Sequence, residues 1–135
     1  MKDAAKSERC GREIVDGAEI FAALEARFGF PPSTFEGLLL LQHNREHLAI
    51  VDATHPDLEG APLQTVGLVF IRSAMAVPKL TTQAAFIFGA AATRNVVDLD
   101  RGRAERYLRR ETLEPTGEEL SRCSGPGQVL VAHDG

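Results

Sequence analysis

The chain has 135 residues, of which 44% are apolar and 25% charged, with a formal net charge of −4 and a pI near 5.5. A chain of this length buries roughly two thirds of its unfolded surface, so one domain with its own core is expected, and the ordinary composition excludes global disorder. The acidic balance excludes nucleic-acid binding by overall charge; any such surface has to be a local basic patch on an acidic body.

The N-terminus, "MKDAAKSERCGREIVDG", has no apolar run of the kind that directs secretion, and no apolar run approaches the ~20 residues that span a bilayer, so a cytoplasmic protein without a membrane anchor is expected. Residues 1–14 read as a flexible, polar terminus and 15–135 as one folded domain, with a helix-and-hairpin lobe over 15–76 followed by 77–135. Asp16 to Gly29 reads as an amphipathic helix: Ile20, Phe21, Leu24 and Phe28 recur on one face, Asp16 can cap the start, and Gly29 can end it. Pro31 and Pro32 then force an extended or turning path. Leu38–Gln42 and His47–Asp52 flank the polar tetrad His43-Asn44-Arg45-Glu46, which is the pattern of a β-hairpin. After a loop rich in Pro, Gly and Asp, Thr65–Arg72 reads as a third strand, in which Gly67 marks a bulge or a close approach.

Pro78 precedes an apolar, alanine-rich run that Thr81 or Thr82 can cap and that reaches about Ala92. Because this run is apolar nearly all round, Phe86, Ile87 and Phe88 are expected in the core. Asn95 suits a left-handed C-terminal position, and "VVDL" reads as a short strand. Asp100 to Arg110 reads as a charged helix capped by Asp100, "PTGEELSRCSGPG" as a loop, and "QVLVAH" as a last strand. The tally of about five short strands and three helices is an α+β fold with a mainly antiparallel or mixed sheet that can curl into a small barrel.

The residues offer little catalytic chemistry. His43 and His47, with His55 further on, sit in or beside loops, and no Cys or carboxylate completes a metal set. Cys10 and Cys123 are isolated from one another and from any C-x-x-C, which suits free thiols. There is no G-x-S-x-G, no phosphate-binding glycine loop and no S-adenosylmethionine motif, so no catalytic residue, cofactor or metal is assigned. The strongest charge feature is Arg101, Arg103, Arg106, Arg109 and Arg110, interleaved with Glu105 and Glu111. It reads either as a solvated helix face with i,i+4 pairs or as a surface that contacts phosphates.

Four stretches in this order are similar to one family. They are "RFGFPPSTFEGLLLLQHNREHLAIV", "VGLVFIR", "PKLTTQAAFIFGAAATRNVVDLDRGRAERYLRRE" and "GPGQVLVAHDG". The third carries most of the likeness: Lys79-x-Thr81-Thr82, an apolar helix, Arg94-Asn95-Val96-Val97, then a helix ending Tyr107-Leu108-Arg109-x-Glu111. Together they resemble the PUA-like RNA-binding module found at the C-terminus of Sun-type ribosomal RNA cytosine-5 methyltransferases and in related stand-alone proteins. The resemblance spans about residues 21–135 and makes 77–135 the PUA-like core. It implies a small pseudo-barrel with flanking helices and a non-catalytic role in binding structured RNA, ribosomal or transfer. Lys79, Arg94, Arg101, Arg103 and Arg106 are then the expected contacts, and a methyltransferase or a second copy of the chain the expected protein partners. Family members usually continue past the position of Gly135 through a Gly-rich strand; without it, an open sheet edge that invites pairing is expected. The other reading is a protein-interaction or structural domain that keeps the fold without RNA binding.

Overall fold

A computed structural model of the protein describes residues 8–58, 60, 63–73 and 78–135. A two-stranded hairpin, β1 (Glu8–Arg9) and β2 (Arg12–Val15), comes first and is followed by helix α1 (Ala18–Phe28). A 3-10 turn at Pro32–Phe35 leads into β3 (Leu38–Gln42), β4 (His47–Asp52), β5 (Leu68–Arg72) and β6 (Lys79–Leu80). Helix α2 (Thr82–Phe88), a 3-10 turn at Gly89–Ala91, β7 (Val96–Asp98), α3 (Arg101–Leu108), α4 (Gly117–Ser121) and β8 (Leu130–Ala132) complete the chain. Strands β1 to β6 form one antiparallel sheet in sequence order, and β7 pairs with β8 in a separate parallel ladder. The fold is α+β and mostly antiparallel, as expected. Among the described residues the larger sheet is open, with β1 and β6 at its edges, and no barrel closes.

Of the terminus expected to be flexible, residues 1–7 lie outside the described residues, and 8–14 fall in the hairpin β1–β2. Its turn is Cys10-Gly11, with φ of 53° and 71°. Two positive φ values in a two-residue loop are the type I′ geometry, which usually takes Asn-Gly or Asp-Gly. Here Cys10 takes the first place because it is buried: its N–H donates to Asp57 Oδ1 (2.8 Å), and its Sγ accepts from Leu58 N–H (3.4 Å). Cys10 packs with Leu41, Val51 and Val66 in a small cluster on one side of the sheet. Both cysteines are free thiols.

Helix α1 follows its apolar period. Leu24 and Phe28 are buried, with Ile20 and Phe21 packed against them. The Asp16 carboxylate accepts from Ala18 N–H (3.1 Å), and Gly29 ends the helix at φ 65°. A Cβ at Gly29 would also run into Thr93 Oγ1, whose hydroxyl donates to the Gly29 carbonyl (2.8 Å). The hairpin β3–β4 has the expected bounds. Gly67 is a close approach: its φ is 71°, and a Cβ there would meet the Ile50 carbonyl. The irregularity in the β4–β5 ladder lies further on, at Phe70, between the pairs Leu48↔Ile71 and Ala49↔Val69.

The main core lies between α1, α2 and the sheet, and takes residues from Leu24 to Leu130. Its centre is aromatic. Phe35 has Phe21, Phe88, Phe30 and Phe70 at ring distances of 5.0, 5.2, 5.3 and 5.5 Å. Such pairs contribute about 0.5–1.5 kcal/mol each beyond the area they bury. Thr81 caps α2 by accepting from Ala84 N–H (3.2 Å), and its hydroxyl donates to the Val69 carbonyl (2.7 Å), which docks the helix on β5. Phe88 reaches the aromatic centre, but Phe86 and Ile87 do not: they are 84% and 59% exposed. A helix of seven residues resting on one sheet buries only the face that meets it, and Ala84, Ala85 and Phe88 occupy that face.

The segment "PTGEELSRCSGPG" also departs from expectation. It contains α4, capped by Thr116, which accepts from Glu119 N–H (3.2 Å). Helices α3 and α4 together make the crossover that lets β7 and β8 run parallel.

Candidate nucleic-acid interface

The five cations named from the sequence are carried by three parts of the fold. Arg101, Arg103 and Arg106 share α3, Arg94 lies just before β7, and Lys79 lies on the edge strand β6. Asp100 starts α3 by accepting from Arg103 N–H (2.8 Å). Arg101 occupies the first helical position, with its side chain 87% exposed and its Nε 3.2 Å from Glu105 Oε1. A cation there opposes the positive end of the helix dipole, and the i,i+4 pair with Glu105 offsets that cost.

Arg103 is differently placed. Its Nη1 donates to Glu119 Oε1 and its Nη2 to the Glu114 carbonyl (3.1 Å), which ties α3 to α4. The two side chains are only 23% and 12% exposed. This hydrogen bond holds the Glu119 carboxyl below its ordinary range and the Arg103 guanidinium above its own, and in each case burial opposes the shift. Arg103 is therefore committed to the fold.

At the far end of α3, Arg106 Nε lies 3.7 Å from Glu111 Oε1 and Arg109 Nε lies 3.1 Å from Glu111 Oε2. One carboxylate is shared by two guanidiniums. Arg110 follows at φ 62°, exposed, and forms no ion pair among the described residues. Arg94 is exposed, and its Nη1 donates to the Ala26 carbonyl (3.2 Å) in the last turn of α1, a favourable end for a cation. Lys79 is exposed and stands opposite Arg72 in the β5–β6 ladder.

The sequence marked Asn95 only for a left-handed backbone position, which it has, and did not reveal the contacts of Asn95 or Arg27. Asn95 is fully buried at φ 55°; its Nδ2 donates to the Arg27 carbonyl (2.5 Å) and Ser124 Oγ (2.9 Å), and its Oδ1 accepts from Ser124 N–H (2.9 Å). Arg27 donates to the carbonyls of Ser124 (2.7 Å) and Gln128 (2.9 Å). Together they clasp the end of α1 to the turn that leads into β8. The Arg94-Asn95 pair thus joins an exposed cation to a buried clasp. Among the described residues no three His, Cys, Asp or Glu side chains are arranged to hold a metal, and no helix is long and apolar enough to cross a membrane. No protein-family model, curated protein or solved structure matches this chain.

Proposed function

We propose that the chain is a non-catalytic, PUA-like module that contacts structured RNA, ribosomal or transfer, through shape and phosphates. The observation that carries this reading is the surplus of positive charge at the end of α3, where Glu111 is shared by Arg106 and Arg109, and Arg110 stands beside them with no ion pair among the described residues. Arginines that keep a free donor after internal pairing suit the bidentate geometry of phosphate oxygens. Arg101 and Arg94 extend the set, and Arg103 ties α3 to α4. The pseudo-barrel of the family belongs to the same proposal; the open sheet β1–β6 with α1 and α2 against it is the part of that architecture on which the reading draws. Fluorescence anisotropy with a labelled ribosomal RNA stem-loop tests it. Binding that weakens when Arg106 and Arg110 are both changed to Gln is expected. Affinity no better than that of an unrelated acidic protein of the same size would sink the reading.

A second reading, a protein-interaction domain, is favoured by the exposure of Phe86 and Ile87 on α2. It predicts concentration-dependent self-association, or a partner whose binding is lost in Phe86→Ser while RNA binding is unchanged.

A further inference from the structure

Strand register assembles a basic row that the linear sequence conceals. In the β4–β5 ladder His47 stands opposite Arg72, and in the β5–β6 ladder Arg72 stands opposite Lys79. Directly opposed residues of antiparallel strands project to the same face, at about 4.5–5.5 Å per step. The adjacent residues Leu48, Ile71 and Leu80 are also opposed, and they belong to the main core. The row therefore projects from the other face of the sheet. The tip of the β3–β4 hairpin lies beside it, because Ser73 N–H donates to the Glu46 carbonyl (2.8 Å). That tip contributes the exposed Arg45. Among the described residues, one carboxylate pairs with the row: Glu46 Oε2 lies 3.7 Å from Arg72 Nη2, with both side chains more than half exposed.

We infer that this row, Arg72 and Lys79 flanked by His47 and Arg45, is a phosphate-binding surface that tracks the backbone of a structured RNA, and that Glu46 tempers it. The inference rests on the RNA-binding reading above and adds to it a second contact surface, on the sheet. Two long cations one strand apart can each meet a phosphate of the same RNA strand. The row has no Phe, Tyr or Trp, so it offers charge and hydrogen bonds to the backbone and no platform for stacked bases.

The test uses the intact chain, a labelled ribosomal RNA stem-loop and anisotropy at several salt concentrations. Arg72→Gln with Lys79→Gln should reduce the slope of log K against log salt by about 1.4–1.8, from about 0.7–0.9 per lost phosphate contact. Glu46→Gln should tighten binding about 2- to 5-fold, by removing one exposed ion pair. These side chains are exposed, and circular dichroism of each variant confirms folding. A wild-type chain that binds RNA while the double variant keeps its slope and Glu46→Gln keeps its affinity would overturn the row and leave the RNA reading standing. A wild-type chain that binds no RNA overturns both. Equal binding of polyglutamate and RNA by the wild type would show a general polyanion surface and overturn the assignment to RNA.

Discussion

Asn95→Ala is expected to be the most damaging polar-to-apolar change in the chain. The side chain is fully buried and meets the Arg27 carbonyl, Ser124 Oγ and Ser124 N–H. Its own carbonyl accepts from Leu130 N–H (2.9 Å), beside the pair Val96↔Leu130 that opens the parallel ladder. Truncation leaves two backbone groups without their partner, at about 1–3 kcal/mol each when buried. It also places Ala at φ 55°, a left-handed position that Asn tolerates and that costs Ala about 1–2 kcal/mol. The expected loss is about 3–8 kcal/mol, a large share of the 5–15 kcal/mol typical of a domain. Asn95→Gly loses the same hydrogen bonds but not the conformational cost, so it should recover about 1–2 kcal/mol relative to Ala. Urea unfolding of the three proteins, with the slope m held as a check on two-state behaviour, measures both differences. A loss below about 1 kcal/mol for Ala, or a Gly variant less stable than Ala, would refute the clasp.

Three further outcomes follow from the packing and the ion pairs. Phe35→Ala should cost about 3–5 kcal/mol, because four rings surround Phe35 in the core, whereas Phe86→Ser should fall within about 0.5 kcal/mol of wild type; denaturant melts separate the two. Glu119 has its folded pKa depressed from 4.5 by Arg103, so its contribution to stability is present above that unfolded value and is lost as pH falls through the lower folded value. Acid titration of stability should therefore show a shallower decline below pH 4.5 in Glu119→Gln than in wild type, and parallel curves would contradict the pairing. Arg27→Lys should destabilise the turn at Ser124–Gln128, since one ammonium cannot reproduce the fork that reaches both carbonyls, and faster amide hydrogen exchange at residues 124–130 would report it.

Elements with a strong period or a standard stop were legible in the sequence. Helix α1 announced itself through Leu24 and Phe28 and through Gly29, the β3–β4 hairpin through its polar tetrad, and α3 through Asp100. The hairpin β1–β2 was hidden because Cys10 stands where a turn of its type usually has Asn or Asp. Helix α4 is only five residues long, and its signal, Thr116 three residues before Glu119, lay within a segment that otherwise reads as a loop. The faces of α2 could not be told apart because Ala, Phe and Ile fill nearly every position, so no stripe showed which side meets the sheet. The charge on α3 was visible, but its pairing was not: Glu119 reaches Arg103 from a different helix. Nor was the row His47–Arg72–Lys79, since β6 has two residues and only three-dimensional pairing sets them opposite β5.

The salt dependence of RNA binding by the intact chain tests the central claim most directly. Arg94, Arg101, Arg106 and Arg110 are the exposed cations of the proposed contact surface, before the sheet row is counted. At about 0.7–0.9 per contact they predict a slope of log K against log salt between about −2.8 and −3.6, and about a 50- to 150-fold loss of affinity between about 50 and 200 mM salt. A slope near zero, with affinity no greater than that of an unrelated acidic protein, would contradict the account.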